Sequence, residues 1–294
     1  MAEPLVAVIT RTRDRPLFLK RALESVSRQN FGELVHVIVN DGGAKARVDA
    51  LVAQAKHRVQ VEHLTERVGR GAAANLGLER SRSTLVVFHD DDDTWAPHFL
   101  ARAVERWRTS GRKGVVVRTE RVVERVEGEQ LIEVRREPFF PDLSAVSLAE
   151  LAKENCFTNL AFLAQRAEVL AVGGYDTELP LYEDWDFNLR FVSRFDVAVV
   201  PEVLAHYHHR EGGQGDARNS FAQDAAHAAD ARAVLVNRWL RDPERRHIGL
   251  LMSLGPALGA IDGIRERVDK LFNLIHGARQ VWPLRAVEGW LKRR

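Results

Sequence analysis

Between Leu5 and His89 two apolar patterns take turns along the chain. Short apolar or alternating runs cover Leu5–Thr10, Leu34–Val39, Val59–Leu64 and Thr84–His89. Their brevity and β-branched content predict strands. Between them the apolar positions recur every three or four residues. Pro16–Gln29 is the clearest case, with Leu17, Leu19, Ala22, Leu23 and Val26 on one helical face. Pro16 suits a first turn, where its missing N–H has no partner to lose. Ala44–Lys56 and Gly71–Arg80 follow the same period. Strands that alternate with helices imply βαβ units and a mostly parallel sheet.

The second half reads differently. Gly114–Val126 and Gln130–Arg135 predict two strands around a Glu127-Gly128-Glu129 turn. Ser147–Asn155 predicts a short helix capped by Ser147, with Glu150 at the capping-box position. Asn159–Ala164 reads as a strand, Arg166–Val172 as a helix, and Leu181 opens a helix to Arg194. Val197–Val200 and Val203–His208 are two short strands. Gly212-Gly213-Gln214-Gly215 is a break, and from Arg218 onward the chain reads as helical.

Composition narrows the class. The chain has 294 residues, 45% of them hydrophobic, enough for a sizeable core. Its net charge of +2 gives no bias toward nucleic acid. Cys156 is the single cysteine, which leaves no intramolecular disulfide to form. No apolar stretch is long enough to span a bilayer, and the first residues lack the pattern of a signal peptide. A cytoplasmic protein is the expectation.

Three acidic groups carry the candidate chemistry. Asp90-Asp91-Asp92-Asp93 closes the run Thr84–His89, so four carboxylates stand at the carboxyl end of a strand. Open α/β sheets bind ligands there. Carboxylate oxygens suit Mg²⁺ or Mn²⁺, and such an ion commonly holds substrate phosphates. The competing reading is a helix cap by Asp92 or Asp93, although one or two acids would meet that need. Asp41 also ends an apolar strand, beside Gly42-Gly43. It could accept hydrogen bonds from a nucleobase or ribose, or simply close an Asx turn. Glu183, Asp184 and Asp186 crowd the start of a helix, where crowding raises a carboxyl pKa toward that of a general base.

In this order and spacing the motifs resemble the family 2 glycosyltransferases of GT-A fold. Val6–Thr10, Arg13-Asp-Arg-Pro16 and Leu23–Gln29 are similar to that family's first strand and helix. Val37–Gly43 resembles its second strand and turn, and Gly69–Gly77 with Asn75 its glycine-containing segment. Phe88–Pro97 resembles its metal motif. Gly173-Gly-Tyr-Asp176 and Glu183-Asp-Trp-Asp186 resemble its acceptor-half motifs. Asn40, Arg67 and Ala74 depart from the family pattern.

The resemblance implies an α/β GT-A fold: a mostly parallel central sheet flanked by helices. A glycosyltransferase domain would cover residues 1–215, with a nucleotide-binding half at 1–110 and an acceptor half at 111–215. A helical extension would follow at 216–294. It implies transfer of one sugar, with inversion, from a nucleotide-diphospho-sugar to a saccharide or lipid-linked acceptor. Asp184 would be the catalytic base. Thr10, Arg11, Asp41, Arg70, Asp90 and Asp91 would serve the donor, Asp91 on a position that could equally face water. Asp92 and His208 would hold Mn²⁺ or Mg²⁺, and Glu183 and Trp185 would meet the acceptor. Two other readings are a sugar-1-phosphate nucleotidyltransferase and a non-catalytic nucleotide-sugar-binding module. The first would want a glycine-rich loop after the first strand, where this chain has Thr10-Arg-Thr-Arg-Asp-Arg-Pro16.

The tail carries a stripe of Val268, Leu271, Phe272, Leu274, Ile275 and Ala278. Trp282, Leu284, Val287, Trp290 and Leu291 follow, and then Lys292-Arg293-Arg294. Such a helix packs on its own domain or on a second subunit, or lies on an anionic membrane.

Overall fold

The computed structural model describes residues 3–128, 130–211 and 227–279. The Gly212–Gly215 break, the start of the predicted tail and its last segment, Trp282 to Arg294, lie outside them. The first half follows the βαβ expectation: β1 (Val6–Thr12), α1 (Pro16–Ser27), β2 (Leu34–Asn40), α2 (Lys45–Val52), β3 (Val59–His63), α3 (Arg70–Arg80) and β4 (Leu85–Phe88). Strands β1 to β4 pair in parallel in the order β3-β2-β1-β4. The chain runs outward from β1 to β3, then returns across β1 to β4. The carboxyl end of β1 is therefore a topological switch point, where the two crossovers diverge and leave a crevice.

The sheet is buried on both faces. Ala7 and Ile9 of β1 join a cluster with Val37, Phe88, Phe162 and Phe187, whereas Val6 and Val8 join Leu85, Phe99 and Leu100 on the other side. The alternation is the period-2 geometry of a strand. Each Val, Ile, Leu or Phe side chain so withdrawn from water contributes roughly 1.5–3 kcal/mol. α3 crosses the sheet at contact distance because it offers Ala73, Ala74 and Gly77 there. A Cβ on Gly77 would stand 2.5 Å from Ile9 Cγ2.

The second half adds β5 (Thr94–Trp95), α4 (Phe99–Ser110), β6 (Gly114–Glu127), β7 (Gln130–Phe139), α5 (Leu148–Lys153), a 3-10 turn at Asn159–Ala161, β8 (Phe162–Gln165), α6 (Arg166–Ala171), α7 (Glu183–Val192) and β9 (Val197–Arg210). Ser147 caps α5 as expected, accepting the Glu150 N–H at 3.1 Å. β8 is antiparallel to both β4 and β6, and β9 is parallel to β6. The two strands expected at 197–208 are one strand, β9. Its register against β6 slips between Val200 and Val203, so that Pro201 and Glu202 bulge out. Proline offers no N–H to a ladder and is tolerated at such a bulge. Thr94-Trp95, the short β5, pairs antiparallel with Ala205 and His206.

Neither Asp92 nor Asp93 caps α4. The residue before that helix is His98, which makes no side-chain cap, and Asp93 is turned toward β9 instead. The described tail forms α8 (Ala228–Arg241) and α9 (Arg246–Arg279). Trp239 of α8 gives its indole N–H to Asp186 at 3.0 Å, and Arg238 pairs with Asp176 and Glu178. Pro256 stands within α9 and has no N–H for the carbonyl one turn earlier. That carbonyl, Met252 O, accepts from Arg232 of α8 at 3.0 Å instead. No helix among the described residues is long and apolar enough to cross a membrane.

Candidate active site

A cleft of about 1430 Å³ opens at the switch point. Arg11, Asp41, Asp90 and Asp92 reach it from the ends of β1, β2 and β4; Glu183, Asp184 and Trp185 reach it from α7, and His208 from β9. Residues at the carboxyl ends of β1, β2 and β4 thus meet a motif from the far half of the chain, as the sequence motifs imply.

Asp41 folds the loop that walls one side. Its carboxylate accepts the backbone N–H groups of Val68 at 2.6 Å and Gly69 at 3.1 Å. Asn40, the family departure, locks the same turn: its side chain donates to Gly43 O at 2.8 Å and accepts from Gly43 N at 3.1 Å. Thr10 does not enter the cleft. It is fully buried, and its hydroxyl hydrogen-bonds His36 Nε2 at 2.8 Å beneath the floor.

The four acids of the run have four different environments. Asp90 pairs with Arg11 at 3.0 Å. Asp91 is buried rather than water-facing; it accepts from Thr12 Oγ1 and Arg15 Nη1, both at 2.7 Å. Burial pushes its carboxyl up to about 6, against the pull of Arg15. Asp92 Oδ2 is held by Arg15 Nη2 at 2.7 Å and Arg210 Nη2 at 2.6 Å. Burial works against its charge, but the two guanidinium groups outweigh burial and hold it well below the usual carboxylate range. Asp93 accepts the backbone N–H of His208 at 2.8 Å. Burial, and then the neighbouring Asp92 charge, raise it well above the usual range. Its other oxygen finds no partner among the described residues.

Arg15, Arg21 and Arg210, to which the sequence motifs assign no role, thus surround the run. Arg15 and Arg210 both lie over the ring of Phe18, at 4.5 and 4.6 Å from its centroid. Arg21 bonds Glu124 at 2.7 Å and also reaches the backbone carbonyl of Asp92. His208 sits between Glu124, 2.9 Å from Nδ1, and Thr94 Oγ1, 2.9 Å from Nε2. Burial lowers its pKa despite Glu124.

A divalent ion is what the resemblance implies for Asp92 and His208, and this arrangement does not fit one. Two guanidinium groups hold Asp92 Oδ2, and both ring nitrogens of His208 are engaged. Among the described residues, no three His, Cys, Asp or Glu side chains converge on one point.

The opposite side of the cleft is built on α7. Tyr182 precedes the helix at φ +63°, a left-handed conformation that is uncommon for a tyrosine and turns Glu183 and Asp184 into the cleft. Glu183 pairs with Arg70 at 3.0 Å. Asp184 accepts the Trp185 N–H at 2.7 Å and Asn155 Nδ2 at 3.1 Å. Asn188 donates to Asn155 Oδ1 at 3.0 Å, which fixes the Asn155 amide with its NH₂ toward Asp184. Burial, and then the adjacent Glu183 charge, push the Asp184 carboxyl up to about 6. Trp185 is nearly buried; its indole N–H donates to Leu151 O at 2.7 Å, and Arg232 lies over its ring at 5.7 Å.

The turn Gly173-Gly174-Tyr175-Asp176 is held by Asn75. Its side chain accepts the Tyr175 N–H and donates to Tyr175 O, each at 2.8 Å. Both glycines have positive φ, and a Cβ on Gly174 would stand 2.4 Å from Asn75 Oδ1.

This sheet and its strand-end cleft are those of the GT-A glycosyltransferases. The model of glycosyl transferase family 2 matches residues 6–164, and the chain belongs to that family. An uncharacterized glycosyltransferase of Nostoc sp. is 29% identical over 168 residues, 56% of this chain and 52% of its own length. The chain thus spans about half the length of that relative. The structure of S. aureus TarS residues 1–349 in complex with UDP-GlcNAc superposes with a TM-score of 0.64 at 18% identity, covering 84% of this chain and 70% of that one. The mannosyltransferase PcManGT of Pyrobaculum calidifontis, in complex with GDP-Man and Mn²⁺, superposes with a TM-score of 0.57 at 17% identity, covering 97% and 83%. Other curated relatives are named for O-antigen, amylovoran and colanic acid biosynthesis.

Proposed function

We propose that this glycosyltransferase moves one sugar from a UDP-sugar to an acceptor hydroxyl with inversion, in the assembly of a polysaccharide or glycoconjugate. The observation that carries the reading is Asp184: a carboxyl held near 6, oriented by Asn155, in the cleft that also holds Asp41 and Asp90. A base with a pKa just below neutrality is largely ionised at pH 7 and still accepts a proton readily.

In this scheme the nucleobase and ribose lie toward Asp41, Arg11 and Asp90, and the acceptor lies beside Glu183. As the acceptor oxygen forms its bond to the anomeric carbon, its proton passes to Asp184. The bond from that carbon to the diphosphate breaks, and the diphosphate leaves with the electron pair. Attack from the face opposite the leaving group inverts the centre. Arg13 and Arg67 also line the cleft near Asp41, and such cations suit an anionic donor. TarS with UDP-GlcNAc supports a UDP-sugar donor. The relatives named for surface polysaccharides support a saccharide acceptor, free or lipid-linked.

The test is Asp184→Asn, assayed for transfer over a panel of nucleotide-sugars and acceptors. Loss of the base should cost about 10²–10⁴ in turnover, with the thermal shift given by UDP unchanged. Turnover equal to wild type would overturn the assignment.

A further inference from the structure

Helix α9 does two things along its length. Its first turns belong to the domain. Ile248 and Met252 are buried, and Gly249 and Gly255 lie so close to Leu240 and Lys153 that a Cβ would fall 2.7 and 2.9 Å from their backbone. Further on the helix leaves the body, and from Ala260 to Leu271 every described residue except Gly263 is exposed. A helix with no packed face draws little stability from propensity alone.

The exposed part has an order of its own. Leu250, Leu254, Ile261, Ile264, Val268 and Leu271 are 53–61% exposed. With Ala257 they follow one another at alternating steps of four and three residues. That is the heptad seam, narrower than the stripe of a helix lying on a globular core. Ile261 and Val268 share one heptad position, and Ile264 and Leu271 share the other. Val268 with Leu271 is the pairing of a β-branched residue and leucine that favours two strands, and Ile264 is the one departure from it between Ile261 and Leu271.

Charge separates the two occupants such a face could take. Between Ile261 and Leu271 the acids Asp262, Glu266 and Asp269 are matched by Arg265, Arg267 and Lys270. A helix that lies on an anionic membrane carries a cationic polar face; this segment is balanced, as the outside of a coiled coil tends to be. Area agrees. Six large side chains each offering on the order of 100 Å², with the flanking stems they cover, approach the roughly 800 Å² per partner of a stable interface.

We propose that this seam docks a second copy of the chain, the two α9 helices pairing as a two-stranded coiled coil. The test is light scattering on the full chain over a concentration series, with the double variant Ile264→Glu/Val268→Glu and the conservative pair Ile264→Leu/Val268→Ile. Both positions are exposed, so neither variant disturbs the domain; the UDP-induced thermal shift verifies this. The expected masses are twice 33.2 kDa for wild type and the conservative pair, and 33.2 kDa for the glutamate variant. A wild-type chain that stays monomeric throughout overturns the proposal, as does a dimer that survives both glutamates. A monomer that sediments with phosphatidylglycerol vesicles and is released by the glutamates also overturns it, in favour of a lipid surface.

Discussion

Asp92 and Arg210 form a 2.6 Å ion pair although 118 residues separate them. Arg210 ends β9 with its side chain fully buried, and Asp92 lies in the turn after β4. The pair fastens the acidic turn to the last strand of the sheet, and it occupies one oxygen of the carboxylate that the resemblance assigns to a cation.

Guanidinium and metal therefore compete for Asp92. Arg210→Met should remove one of the two guanidinium groups on that oxygen, leaving Arg15, and strengthen Mn²⁺ binding relative to wild type. One charged hydrogen bond is worth about 1.5–3 kcal/mol, so a gain of roughly tenfold or more in Mn²⁺ affinity is expected by calorimetry. Weaker Mn²⁺ binding in the variant would show that Arg210 does not oppose a cation there.

Activity should titrate with Asp184. The base acts ionised, so kcat/KM should rise with pH through about 6 and level off above it. Asn155 favours the ionised form by donating to it. Asn155→Leu should move the acidic limb up by about one pH unit, since one unit is 1.36 kcal/mol. Asn188→Leu should move it in the same direction, by less, because Asn188 acts only through the Asn155 amide. A limb that stays in place in both variants would detach this pair of amides from the base.

Acid stability should depend on His89. It is buried edge-on to Trp95 at 4.3 Å, and burial lowers its pKa to about 3. The unfolded chain binds that proton near pH 6.5. Between the two values the unfolded state holds more protons, so the contribution of His89 is present above pH 6.5 and is lost as pH falls toward 3. Asp91 and Asp184, both raised to about 6, act in the opposite direction: their contribution is full below about 3.8 and is lost as pH rises through 6. His89→Leu should flatten the fall in Tm between pH 6.5 and 4 relative to wild type. An unchanged slope would place the acid sensitivity elsewhere, for instance on buried His36.

Gly174→Ala should be costly. The new Cβ would meet Asn75 Oδ1, and the backbone is already left-handed at φ +61°. A cost of about 1–3 kcal/mol is expected in denaturant unfolding, larger than for Gly111→Ala, whose Cβ would meet nothing within 4 Å although its φ is also positive.

The sequence was most legible where local pattern and fold agree. Val6–Ile9 is a continuous apolar run and Leu34–Val39 is broken only by His36, because both faces of β1 and β2 are covered, and the acids at 90–93 lie where a strand had to end. The site was legible as far as its carboxylates, whose types and order are unusual. Their partners were not. Arg15, Arg21 and Arg210 look like ordinary surface cations in a chain with 43 Lys and Arg; only the crossing of β9 over the acidic turn buries them. Thr10 misled in the other direction: its place in the motif suggested the cleft, but strand alternation turned it inward to His36. The single strand β9 was hidden by Pro201, which reads as a break in sequence and proves to be a bulge.

The carbonyl that Pro256 leaves without a donor gives the tail a meaning that its sequence position conceals. Arg232 fills that vacancy, and the same guanidinium roofs Trp185 beside Asp184. Cutting the chain ahead of α9 would therefore unmoor a wall of the cleft. A fragment trimmed at residue 215 would lose the guanidinium that covers Trp185 beside Asp184, and poor transfer by such a fragment would be a fault of the cut.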